Sequence, residues 1–142
     1  MRHDKVCLFI LVCCLFPLTA YADTKRVFIS CAELTSIEIE QPPPGYTVPY
    51  EECGDKCFFI VFTMEALTAQ RVNAEYNAHK HVARELYIDS SLLLAMEPLH
   101  IDAPYSQKIS TAKVYQTLED ALDDARGICP NAIIKVPGTV RR

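Results

Sequence analysis

Four cysteines constrain this chain more than any other feature: Cys31, Cys53, Cys57 and Cys129. Their meaning depends on what precedes them. Met1 to Lys5 is a short, mostly basic lead, and Val6 to Phe16 is an apolar run without a charge. Pro17-Leu18-Thr19 leads into Ala20-Tyr21-Ala22, the small-x-small pattern that a signal peptidase cuts. The sequence therefore predicts a Sec-type signal peptide over 1–22, cleaved after Ala22. The apolar run falls short of the ~20 residues of a membrane span, so a retained anchor is the weaker alternative. A lipid anchor on Cys13 or Cys14 fits less well, because no small residue sits immediately before either.

Cys7, Cys13 and Cys14 leave with that segment, and the four that remain are an even number in an oxidising compartment. That predicts two disulfides. Cys53–Cys57 would close a tight turn through Gly54-Asp55, and Cys31–Cys129 would tie the first strand to the end of the last helix. Cys31–Cys53 with Cys57–Cys129 stays open as the other pairing. The 120 residues after the leader are one domain's worth, enough for a core of their own. They hold 12 Lys and Arg against 17 Asp and Glu. An acidic exported domain with scattered basic residues is a poor nucleic-acid or anionic-membrane binder. No second long apolar run follows, so no stable membrane insertion is expected after cleavage.

Hydrophobic periodicity sets the order of elements. Val27-Phe28-Ile29, and Ile37 and Ile39 alternating with Glu38 and Glu40, predict two strands. Pro42-Pro43-Pro44 then forbids regular structure, giving a surface loop over 41–57. Phe58 to Phe62 is a continuous β-prone run, short and aromatic, as in a central strand buried on both faces. Thr63 is placed to cap a helix over 64 to about 82, with Leu67, Arg71, Ala74, Ala78 and His81 on one face beside Val82. "ELYIDSSLLLAM" predicts a β-hairpin turning at Asp89-Ser90-Ser91. Thr117-x-x-Asp120 resembles a capping box for a second helix, with Leu118, Ala121, Leu122 and Ala125 inward and Pro130 beyond its end. Ala132 to Val136 predicts a closing strand. The expected fold is α+β, a single mixed or antiparallel sheet with two helices on one face, stapled by disulfides. Its domain spans 23–137, with a short tail over 138–142.

Several residues of this frame resemble a known family. "FFIVFTMEALTAQ" is similar to the strand-then-"FTPEGA" opening of the periplasmic head subdomain of the SecD (SecDF) protein-export component. "HKHVARELYIDSSLLLAMEP" resembles that family's "HVGKRLAIVLDGKVLSAP", and "YQTLEDALDDARGI" resembles its "FTEEEAKALA…L" helix. The similarity runs over residues 27 to 137 and is clearest from 58 to 128. The first helix is about a turn longer here, Ser90 replaces the turn glycine, and "DAPYSQ" replaces a Gly-rich segment. The family's transmembrane helices have no counterpart, so its transport role does not carry over. The resemblance implies a freestanding exported head-like domain that contacts protein or unfolded polypeptide, with no catalytic residue to transfer.

The residues themselves point away from catalysis. Cys53-x3-Cys57 is neither the C-x-x-C nor the strand-to-helix setting that activates a thiol. His79 and His81 are two apart and leave opposite sides of a helix. His100 with Asp102 could orient an acid–base pair, but no recognisable nucleophile accompanies them. Ser90-Ser91 lies in a turn without an elbow motif. No catalytic residue, metal or cofactor is therefore expected. The candidate binding residues are Tyr46, Tyr50 and Tyr105, loop aromatics of the type that anchors interfaces. Glu119, Asp120, Asp123 and Asp124 form an acidic patch, either a solvated helix face or a docking face for a basic partner. The leading expectation is a non-enzymatic exported binding domain that adds an extended peptide to a sheet edge. The alternatives are an inhibitor or immunity-type protein that blocks another protein, and a small hydrolase using His100.

Overall fold

The computed structural model describes residues 23–46 and 52–138. The proposed leader, Tyr50 and nearly all of the predicted tail lie outside them. The elements in order are β1 (Lys25–Ile29), a 3-10 turn (Cys31–Glu33), β2 (Leu34–Glu40), a second 3-10 turn (Gly54–Lys56), β3 (Phe59–Met64), α1 (Ala66–Ala78), β4 (Arg84–Ile88), β5 (Ser91–Met96), β6 (Lys108–Ser110), α2 (Leu118–Ile128) and β7 (Ile134–Lys135).

The fold is α+β, but it has two sheets where the sequence suggested one. β1, β4 and β5 form a three-stranded sheet, and β6, β3, β2 and β7 form a four-stranded one, in those spatial orders. The split occurs at residues 30–33. Ser30 caps the 3-10 turn through its hydroxyl, and the Glu33 carboxylate returns to the Ser30 N–H at 2.8 Å. That reciprocal cap breaks the run between β1 and β2. β1 then pairs in parallel with β4, from Lys25↔Arg84 to Ile29↔Ile88. β2 instead pairs antiparallel with β3 and, over two residues, in parallel with β7. Both partnerships of β1 and β7 are long-range, and hydropathy carries no record of them. The helices are divided between the sheets: α1 lies against β1, and α2 against β2, β3 and β7.

One core joins all of this. Val27, Ile29, Leu86 and Ile88 of the first sheet meet Ile37, Ile39, Ile60 and Phe62 of the second, with Ala121 and Ala125 of α2. β3 is central in its sheet, and Ile60, Val61 and Phe62 are all buried, as a strand covered on both faces requires.

Thr63 does not cap α1. It is inside β3, opposite Ser36 of β2 and Lys108 of β6. Met64 donates to Gln107 O at 2.8 Å and Glu65 to Glu33 O at 2.9 Å, so ladder bonds hold the chain extended for two more residues. Helix α1 begins after Glu65, without a side-chain cap. Its buried side is Thr68, Ala69 and Val72, whereas Leu67 of the expected stripe is 78% exposed. The buried face is the one that packs toward β1 and the core, which helical spacing alone does not select. Around α2 the expectation holds: Thr117 Oγ1 accepts from the Asp120 N–H at 3.1 Å, and Ala121 and Ala125 are fully buried. The closing strand is only Ile134–Lys135.

The disulfides join Cys31 to Cys129 and Cys53 to Cys57. The first links the turn between the two sheets to the end of α2. Arg84, the first residue of β4, is 1% exposed. Its guanidinium donates to Tyr76 O at 3.2 Å and Glu97 O at 3.0 Å, and it stands over the Tyr76 ring at 5.4 Å. It makes no ion pair among the described residues. The Tyr76 hydroxyl is also buried, without a hydrogen-bond partner among the described residues, and that burial pushes its pKa up to about 12 against the opposing pull of Arg84.

Glu33 ties the inter-sheet turn to α1. Its carboxylate takes Ser30 N–H, the Thr68 hydroxyl at 3.3 Å and the Arg71 guanidinium at 3.3 Å. The Ser30 N–H, and then Arg71, hold its pKa below the ordinary 4.5. A carboxylate depressed by folding stabilises the fold above its unfolded pKa, and this contribution fades as pH falls through the lower folded value. Stability should therefore start to decline near pH 4.5 and keep declining below it. In Glu33→Gln that acid decline should be shallower, which denaturation midpoints measured from pH 6 to pH 3 would check.

Candidate binding edge and groove

A sheet edge offers unpaired N–H and C=O groups to any extended chain, and folded proteins blunt such edges with charge, shortness or cover. Three of the four edges here are blunted. β1 carries Lys25 and Arg26, and Arg71 of α1 donates to its Phe28 carbonyl at 3.0 Å. β6 is three residues long and β7 is two. The fourth edge is β5, Ser-Leu-Leu-Leu-Ala-Met: six residues with no charge and no proline. Its inner side pairs with β4, and its outer side has no backbone partner among the described residues. The register slips between Leu86 and Tyr87, so Tyr87 faces Leu92 and Leu86 faces Leu94, with Leu93 bulged between them.

The bulge turns Leu93 into a groove of ≈ 360 Å³ lined by Leu92, Leu93, Thr111, Lys113, Tyr115, Asp123, Asp124, Gly127 and Ile128. One wall is the β5 edge and the other is α2. Tyr115 is buried and fixed by two 2.8 Å backbone bonds with Phe58. Burial, with the Asp124 carboxylate beside it, pushes the Tyr115 pKa well up. Lys113 Nζ sits 2.9 Å from Asp124 Oδ2 and 4.8 Å from the Tyr115 ring centroid. The Lys113 ammonium, and after it the Tyr115 hydroxyl, holds the Asp124 carboxyl below its ordinary range.

Leu92 also belongs to an exposed row across the three-stranded sheet. Phe28 of β1 is opposite Tyr87 of β4, their rings 5.3 Å apart, and Tyr87 is opposite Leu92. Glu85 steadies the row, accepting from the Tyr87 hydroxyl at 2.8 Å and pairing with Arg26 at 3.3 Å.

The residues singled out from sequence are dispersed. Of the acidic patch, Asp123 and Asp124 line the groove. Asp120 lies on the adjoining surface with Gln116, and Glu119 lines neither. Tyr46 and Tyr105 are exposed on separate loops, and neither borders the groove. His100 is exposed, and Asp102 is bound to Lys80 at 2.6 Å, not to His100. Among the described residues, no group of three or more His, Cys, Asp or Glu side chains is placed to hold a metal ion.

Protein-family models, curated proteins and solved structures give no match to this chain. The site therefore has to be judged on its own chemistry. Leu92, Leu93, Lys113 and Tyr115 were not evident as site residues in the sequence. The only available signal was the uncharged "SLLLAM" after a hairpin turn, too apolar for an edge strand that faces water alone. Among the described residues no helix is long and apolar enough to cross a membrane. Two disulfides and that observation are compatible with an extracellular or periplasmic protein.

Proposed function

We propose that this chain is a non-enzymatic, exported binding domain that takes up an extended stretch of polypeptide along β5. The observation that carries the reading is the contrast between edges: among the described residues three are charged, covered or very short, and β5 alone is long, apolar and open. Strand addition uses main-chain bonds for affinity and leaves side-chain pockets to select sequence. The groove beside Leu93 and the exposed Phe28–Tyr87–Leu92 row supply such contacts. The reading agrees with the resemblance to the SecD head, whose implied partner is emerging polypeptide. It also agrees with signal-directed export and an oxidising destination.

The test is a titration of a labelled, permanently unfolded polypeptide of near-neutral charge. Wild type should bind it. Leu92→Lys with Ala95→Lys alters two exposed positions of β5 and should weaken binding tenfold or more, since lysine on an edge opposes pairing. Circular dichroism should show the fold retained. Absence of binding by wild type, equal binding by the double variant, or sedimentation showing β5 consumed in a homodimer would each sink the reading.

A further inference from the structure

The groove wall opposite β5 contains a cation seat that the protein fills with its own lysine. Its fixed parts are a carboxylate and an aromatic face. Asp124 is on α2, and Tyr115 is buried and bridged to Phe58. The ammonium between them is the movable part. Lys113 reaches in from a loop with its side chain 66% exposed, against 46% for Asp124. An exposed ion pair contributes little, and an exposed cation–π contact is similarly weak. Exchanging Lys113 for another cation therefore costs little, because Lys113 regains water while the carboxylate and ring keep a charge between them. Elsewhere in the groove, Leu92, Leu93 and Ile128 are apolar, and Asp123 already pairs with Arg126 at 3.7 Å on its own helix.

We propose that the Asp124–Tyr115 seat selects a lysine or arginine side chain of the strand bound at β5, and that Lys113 is its internal stand-in. This rests on the edge-binding reading above. The partner it predicts is an extended segment with apolar residues facing Leu92 and Leu93 and one basic residue facing α2. Arginine should bind better than lysine, because a planar guanidinium both pairs with the carboxylate and stacks on the ring.

The experiment uses short alternating apolar–polar peptides that differ only in carrying lysine or uncharged norleucine at one position, scanned along the peptide. Fluorescence anisotropy gives Kd for wild type, Asp124→Asn and Lys113→Gln. At one position the lysine peptide should bind wild type about fivefold more tightly than its norleucine twin. Asp124→Asn should abolish that preference, bringing the Kd of the lysine peptide to that of its norleucine twin. Lys113→Gln should strengthen lysine-peptide binding about threefold, since the stand-in is gone. If both peptides bind alike at every position and Asp124→Asn changes neither, the seat is overturned while edge binding stands. If neither peptide binds any form, edge binding itself fails and the seat fails with it.

Discussion

Cys31→Ala with Cys129→Ala should lower the unfolding free energy by about 4–5 kcal/mol. The two residues are 98 apart in sequence, and a cross-link closing a loop of that size restricts the unfolded chain by about that amount. Domains of this size have only about 5–15 kcal/mol in total, so the variant should sit near its folding threshold. The bridge also joins the turn between the two sheets to the end of α2, and Cys129 is buried in the common core. Urea denaturation of wild type and variant measures the difference. Cys53→Ala with Cys57→Ala is the control. A bridge spanning a separation of only 4 should cost about 2 kcal/mol by the same relation. Equal losses in the two double variants would refute the loop-length account.

Arg84→Ala should be comparably damaging, at about 3–5 kcal/mol. Arg84 fills core volume, and its guanidinium satisfies the carbonyls of Tyr76 and Glu97. Tyr76 lies in the last turn of α1, where unpaired carbonyls gather the negative end of the helix dipole. That helix end takes the place of a carboxylate counter-ion. Truncation opens a cavity and strands two carbonyls, the combination behind the largest single-residue losses. Arg84→Met should lose about 1–2 kcal/mol less than Arg84→Ala, because it restores volume and removes a buried charge while leaving the carbonyls unpaired. Thermal and urea unfolding of both variants would show the order. A loss under about 1 kcal/mol for Arg84→Ala would mean that water replaces the guanidinium there.

Arg84 illustrates where sequence reading stopped. In "HVARELYI" it is one polar residue opening a strand, and a solvent-facing side chain would be the ordinary expectation. It is buried because α1 ends where β4 begins and β5 ends, and three elements converge on it. Thr63 failed for a related reason. Its type suits a helix cap, but β2 and β6 flank it and their ladders hold it in β3. The hairpin 84–96 and the Thr117 cap were legible because both depend on neighbours within a few residues. The candidate site was barely legible: Asp123 and Asp124 were marked, but Leu92 and Leu93, and Lys113 and Tyr115, reach them from two other parts of the chain.

The sequence by itself determined the α+β class, the central strand, the hairpin and the second helix's cap. Those follow from periodicity, turn chemistry and local hydrogen bonding, which act between residues close in the chain. Only the tertiary structure decided that the strands divide into two sheets, that three edges are blunted and β5 is open, and that Lys113 sits between Asp124 and Tyr115. These depend on pairings between distant segments, where the free energy of one arrangement over another comes from packing and ladder bonds that no local pattern records.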